Sequence, residues 1–226
     1  MTGTRRLLWV TISVLSTSAL FAISLTAFAL GRGDWVVFFQ SPARVGALAV
    51  SLGLSALVVF SNFGGMNPGK KEDRGNRWIF GPMMVLALGL AVLPPYLDGR
   101  DLWTTDEAVT PYVGLALLTL GGALRLAAVF ALGRRFTGLV AIQEGHCLLT
   151  GGLYRHIRHP SYAGMLLYMA GFVLVFRCWL GLLLVAGTLA ILLARMDAEE
   201  ALLQSEFPEE YASYRRRTWR LVPWVY

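Results

Sequence analysis

Residues 146–162, HCLLTGGLYRHIRHPSY, carry the densest chemistry in this chain, including all three of its histidines, His146, His156 and His159. A second polar patch, Arg195-Met196-Asp197-Ala198-Glu199-Glu200, follows two short apolar stretches. Arg195 and Glu199 are four apart, so on a helix they share a face. A carboxylate placed there can take an ammonium group, and an arginine can orient an anionic or electron-rich acceptor. The plainer alternative is an intrahelical ion pair facing water. In the loop, Pro160 favours an extended His159 ahead of a helix that starts near Ser161. The N-terminus of such a helix offers free backbone N–H groups to a carboxylate or an adenine acceptor. Gly151 and Gly152 permit a sharp backbone path, while Tyr154 and Tyr162 offer flat faces with a hydroxyl handle. The expectation is that the two patches meet at the membrane face and hold a cofactor.

Other site chemistries lack their residues. No strand leads into Gly-x-Gly-x-x-Gly, and neither a serine nucleophile elbow nor His-Glu-x-x-His occurs. His156-x-x-His159 with His146 and Cys147 has the donor types for one metal ion. Such a pattern beside arginines is a weak signal, however, and no metal is expected. The turn-rich island GGMNPGKKEDRGNR (64–77) resembles a phosphate loop only in its glycines, with no Lys-Ser/Thr pair after it. It reads as a basic loop between helices.

The elements that position the two patches follow from composition. Of 226 residues, 56% are hydrophobic and 15% charged, with the charges gathered in short islands. That distribution belongs to a polytopic membrane protein whose spans satisfy their own backbone as helices. Apolar runs at about 7–30, 43–63, 78–96, 109–132, 161–176 and 178–194 give six spans. The first is longer than the apolar core of a usual signal peptide. Pro94-Pro95 marks the end of the third, and the last two form a tight hairpin with its tip at Arg177. From Arg195 the tail is amphipathic, charged and aromatic, as expected of a helix lying on the cytoplasmic surface.

The formal charge is +6, but basic islands beside spans set topology, so no nucleic acid partner is expected. Arg5 and Arg6, the 70–77 island, the 133–160 loop and the tail fall on one side, the cytoplasm. The 31–42 loop, the acidic 98–107 loop and the hairpin tip fall on the other. Both termini are then cytoplasmic, and Cys147 and Cys178 lie on opposite sides with no disulfide between them. Arg125 sits well inside the fourth span, where a charge needs an internal partner or a path to the interface.

HCLLTGGLYRHIRHPSYAG, then R-x-x-x-E-E-x-x-L from Arg195, then F-x-x-x-Y-x-x-Y from Phe207 resemble the isoprenylcysteine carboxyl methyltransferase family. That family is related to the phospholipid amine methyltransferases. The resemblance covers about 133–226, and Leu149 stands where the family commonly has valine. It implies S-adenosylmethionine as methyl donor, with His146, Cys147, Leu148, Leu149, Tyr154, His159, Pro160, Ser161 and Tyr162 lining its pocket. By the same resemblance Glu199 faces the cofactor and Arg195 the methyl acceptor. The chain then reads as one transmembrane domain, 1–226. Residues 1–132 supply four spans on the acceptor side, and 133–226 the cofactor-binding core. The acceptor would be lipophilic and reach the site from the lipid bilayer, its methylated group a carboxylate, a lipid amine or a small thiol. The competing class is a small-molecule transporter without methyltransferase activity. A transporter would place charges or helix breaks near the middle of several spans, where this chain has only Arg125.

Overall fold

The computed structural model describes residues 3–57, 71–133, 136, 139–142 and 148–226. Among the described residues its architecture is predominantly helical, as the uninterrupted apolar runs require when no water can bond the backbone. In chain order the helices are α1 (Gly3–Arg32), α2 (Val36–Phe39), α3 (Pro42–Leu57), α4 (Phe80–Gly99), α5 (Thr110–Leu132), α6 (Pro160–Val175), α7 (Leu182–Glu206) and α8 (Pro208–Arg216). Among the described residues the one ladder is a two-residue pair, β1 (Lys71–Glu72) antiparallel to β2 (Ala141–Ile142). It ties the basic island to the loop that precedes the motif.

Among the described residues four segments are long and apolar enough to cross a membrane: Val14–Arg32, Arg74–Gly99, Thr110–Leu132 and Trp179–Glu206. Helices α3 and α6 are apolar but shorter, at 16 residues each. That is roughly 24 Å of helix against a hydrocarbon core of about 30 Å. Positions 58–63 of the expected second span lie outside the described residues, as does the 64–70 part of the basic island.

Three expected boundaries move. Pro94 and Pro95 do not end the third span, because α4 runs through both to Gly99 with the two prolines buried. Pro costs backbone hydrogen bonds inside a helix, but neighbouring helices make this tolerable within a membrane bundle. The last span does not stop at 194, since α7 continues to Glu206 and ends only where Pro208 follows Phe207. The tail is therefore not one surface helix from Arg195. It consists of the end of α7, the short α8, and a terminal segment that folds back beneath the motif loop.

The chain does reverse at Arg177, whose φ of 52° lies in the left-handed region. However, α6 makes its closest backbone approach to α5 rather than to α7. Gly114 and Gly121 on α5 face Gly171 and Gly164 on α6, each pair seven residues apart along its own helix. A Cβ at Gly171 would lie 2.3 Å from the Leu118 nitrogen, and one at Gly121 would lie 2.4 Å from the Tyr168 nitrogen. Small residues at such crossings replace the hydrophobic drive that is missing between helices in lipid.

At the Arg177 end, Asp98 is fully buried and bonds Arg177 at 2.7 Å and Arg44. Asp101 bonds Arg177 and Arg32, each at 2.8 Å or less. The 98–107 loop, the hairpin tip and the start of α3 therefore share one end of the bundle. The motif loop, the end of α7 and the tail share the other.

Candidate active site

The two polar patches meet. Around a cavity of about 340 Å³ stand Arg125, Tyr154, Arg158, His159, Ser161, Tyr162, Arg195 and Glu199, with Leu148, Leu149, Met165 and Leu192 among its apolar wall. The first turn of α6 supplies Ser161 and Tyr162, and the helical face shared by Arg195 and Glu199 on α7 turns toward them. Tyr162 lies between these two α7 residues. Arg195 Nε donates to its hydroxyl oxygen at 2.6 Å, and the hydroxyl donates to Glu199 Oε2 at 2.9 Å. The tyrosine of α6 thus bridges the two charges, where the plainer alternative was an ion pair within α7 facing water. His159 stacks on Tyr162 with ring centroids 5.4 Å apart, and its Nδ1 is 3.7 Å from the same Glu199 oxygen. Glu199 Oε1 has no hydrogen-bond partner among the described residues, and its side chain is 34% exposed.

Glu200, the next residue, has a different situation. It is buried, and one of its carboxylate oxygens meets Arg158 Nε at 3.2 Å, His159 Nε2 at 3.0 Å and Arg220 Nε at 3.1 Å. Arg158 also reaches the Thr218 carbonyl, and Arg220 reaches Asp197. Backbone bonds complete the brace: Arg158 N–H donates to the Trp219 carbonyl, His159 N–H to that of Arg220, and Trp219 N–H to that of His156. The Arg-His-Pro element is thus held from below by the last residues of the chain. Tyr214 on α8 donates to the Tyr154 carbonyl at 2.7 Å. Burial pushes the Tyr214 hydroxyl up to about 12 and raises that of Tyr154 further, so both stay protonated donors at physiological pH.

Of the residues expected at the site, Leu148, Leu149, Tyr154, His159, Ser161, Tyr162, Arg195 and Glu199 stand around one cavity. Pro160 is buried at the start of α6 and is not part of that wall. His146 and Cys147 lie outside the described residues. His156 is exposed while His159 is buried, so these two do not form the pair that His-x-x-His spacing allows. The expected free N–H groups of α6 are also partly used, because those of Tyr162 and Ala163 return to the His159 carbonyl. Side chains do most of the presenting here. Sequence reasoning missed Arg158 and Arg220 as partners of Glu200. The doubled glutamate was the available signal, since two adjacent acids on a helix point in different directions and need different partners.

A second cavity of about 530 Å³ lies among α1, α3, α4, α5 and α6, walled by residues such as Phe21, Leu54, Leu90, Leu126, Met169 and Phe172. Arg125, Phe136 and Met165 belong to the walls of both cavities.

Residues 114–205 match the model of the isoprenylcysteine carboxyl methyltransferase family. A rice protein (Oryza sativa subsp. indica) described as a probable protein-S-isoprenylcysteine O-methyltransferase is 29% identical over 168 residues, 70% of this chain and 84% of that one. The Arabidopsis thaliana protein-S-isoprenylcysteine O-methyltransferase B is 35% identical over 115 residues, 50% of this chain and 58% of that one. The solved structure of a eukaryotic intramembrane Ras methyltransferase aligns over 99% of this chain and 97% of that chain, with 22% identity and a TM-score of 0.46. The matched segment contains the Arg-His-Pro-Ser-Tyr element, Arg195 and the double glutamate, and it is over this segment that the chain is similar to the isoprenylcysteine carboxyl methyltransferase family.

Proposed function

We propose that this protein transfers a methyl group from S-adenosylmethionine to a lipophilic, membrane-associated acceptor at the cytoplasmic face, an isoprenylcysteine-like carboxylate being the acceptor its relatives' names suggest. The observation that carries this reading is the Arg195–Tyr162–Glu199 chain on the wall of the 340 Å³ cavity. It draws the two motif halves from separate helices into one place.

The residues present fit the proposed cofactor. Glu199 Oε1 is an unused acceptor suited to an ammonium group, the arginines suit a carboxylate, and Leu148, Leu149 and Tyr154 offer an apolar wall for an adenosine. When bound, S-adenosylmethionine supplies a methyl group on a positively charged sulfur that departs as a neutral thioether. The protein's own part is to orient and to keep water out, with no covalent enzyme intermediate. Tyr162 holds Glu199 on one side and Arg195 on the other, which leaves Arg195 to face the acceptor. His159 fixes the tyrosine ring by stacking and is itself fixed by Glu200.

In this reading residues 133–226 form the cofactor-binding core, and residues 1–132 wall the acceptor side. The six apolar helices α1 and α3–α7 serve as spans, and the basic islands put the motif end and both termini in the cytoplasm. A soluble cofactor then enters from water and an apolar acceptor from lipid. Calorimetry on detergent-purified full-length protein tests the reading, with S-adenosylmethionine and S-adenosylhomocysteine as ligands. Micromolar binding is expected, weakened about 10- to 100-fold by Glu199→Gln, the usual range for losing a charged hydrogen bond. No binding to folded wild-type protein would sink the proposal.

A further inference from the structure

We propose that the turn over residues 221–226 is a lipid anchor: its outer face lies in the membrane interface among anionic headgroups, and Arg220 ties it to the brace under the site. This rests on the chain's spanning a membrane and not on the identity of the methyl acceptor.

The depth of the turn is set by Leu221. That residue is buried in a cluster with Leu192 and Met196 of α7, against which Met83, Ala163 and Leu166 also pack. Leu192 belongs to the apolar part of α7 and Ala163 to the first turn of α6. The turn that Leu221 begins therefore sits where both helices leave the hydrocarbon. Its backbone closes on itself, because the Leu221 and Val222 N–H groups donate to the Tyr226 carbonyl and the Tyr226 N–H returns to that of Val222. A backbone satisfied in this way can lie against lipid.

Outward the turn shows apolar and aromatic side chains: Trp224 is 84% exposed, Val225 77%, and Val222 and Tyr226 49% each. Nothing in the protein accounts for Trp224. Its φ of 63° is one that a bulky side chain rarely adopts. Among the described residues its ring stacks on nothing and its indole N–H bonds nothing. Such a surface is unfavourable in water, whereas tryptophan and tyrosine are favoured at the interface, where one end is apolar and the other wet.

The charge beside the turn selects the lipid. Arg215 and Arg216 end α8 and Arg217 follows. All three are exposed, and among the described residues none has a carboxylate within ion-pair distance. Next to a membrane each draws anionic headgroups, by about fivefold in affinity. A second copy docking by the same face would instead set like charges together.

Arg220 joins the turn to the site. Its Nη1 donates to the Tyr226 hydroxyl at 2.7 Å, its Nε donates to Glu200, and its carbonyl accepts the His159 N–H. A turn held in lipid thus steadies Glu200 and His159, on which Tyr162 stacks.

Tryptophan quenching by brominated lipids tests the anchor on full-length protein in nanodiscs. The signal of Trp224 is the difference between the wild type and Trp224→Phe. Lipids brominated near the headgroup end of the acyl chain are expected to quench it more than lipids brominated near the methyl end. Brominated phosphatidylserine should quench it at least about twofold more than brominated phosphatidylcholine. Arg215→Gln, Arg216→Gln and Arg217→Gln together should equalise the two headgroups. No quenching by any of these lipids overturns the anchor, and dimers in detergent would then assign the face to a second copy. Equal quenching by both headgroups in the wild type overturns the anionic preference.

Hydrogen exchange tests the link to the site. Trp224→Asn keeps a residue that tolerates positive φ and removes the anchor. In nanodiscs it is expected to speed amide exchange several-fold at 156–159 and 219–222. Because Trp224 touches so little protein, a merely structural role would leave exchange unchanged, and that result overturns the coupling. Neither measurement needs cofactor or turnover, so both stand whether or not methyl transfer is found.

Discussion

Adjacent glutamates do different work in this protein. Glu199 faces a cavity with one oxygen unused, whereas Glu200 is closed in by Arg158, His159 and Arg220. Successive helix residues point about 100° apart, so the pair serves two sides of α7. Tyr162 links the cavity-facing glutamate to Arg195, which gives that arginine a fixed direction. Replacing Arg195 with alanine is expected to lower turnover by about 10²-fold, the scale of losing one preorganised charged donor. S-adenosylmethionine affinity should change little, and steady-state kinetics beside calorimetry separate the two. Unchanged turnover would remove Arg195 from the reaction.

Two elements hold these residues in place. One is the glycine crossing of α5 and α6, which brings Arg125 within reach of Ser161. At Gly171 there is no room for a side chain, with the Leu118 nitrogen 2.3 Å from where a Cβ would be. Gly171→Val is therefore expected to push the helices apart, at a cost of at least about 1–3 kcal/mol. Thermal unfolding in detergent should move down, and methyl transfer should fall even below the transition because Arg125 and Ser161 separate. A variant with wild-type stability and activity would show that the two helices do not need this approach. The other element is the terminal segment, whose backbone bonds to residues 156–159 make the end of the chain part of the site's support. Composition marked this segment as a membrane-surface helix, but its polar backbone found partners in the loop instead.

At the scale of the molecule, the end opposite the site is clamped by charge. Asp98 has a side chain with no exposure and joins α4 to Arg44 on α3 and to Arg177 at the hairpin tip. Removing one member of a buried ionic group leaves the others uncompensated, typically at about 3–5 kcal/mol. Asp98→Ala is thus expected to lower the melting temperature by about 10 °C, given the usual entropy of a domain of this size. An unchanged melting temperature would mean that water reaches the cluster. Because the clamp lies far from Glu199, cofactor affinity of the folded fraction should stay near wild type.

Local order along the chain was enough to determine much of this protein. Long apolar runs dictate helices in lipid whatever they pack against, and the breaks between them locate the turn at Arg177. The motif spacing placed Arg195 and Glu199 on one face, and the loop chemistry brought His159 and Tyr162 into the same expectation. Only the tertiary structure decided what each group meets. A helix continues or stops according to its neighbours, so α4 passes through Pro94-Pro95 and α7 runs on to Glu206. A buried charge is assigned by whatever lies opposite, and that comes from distant positions: Arg220 for Glu200, Tyr162 for Arg195, and Arg44 for Asp98. Arg125 illustrates the same division. Its cost was legible in the sequence, whereas its place between a polar and an apolar cavity depends on how the helices that wall the two cavities pack.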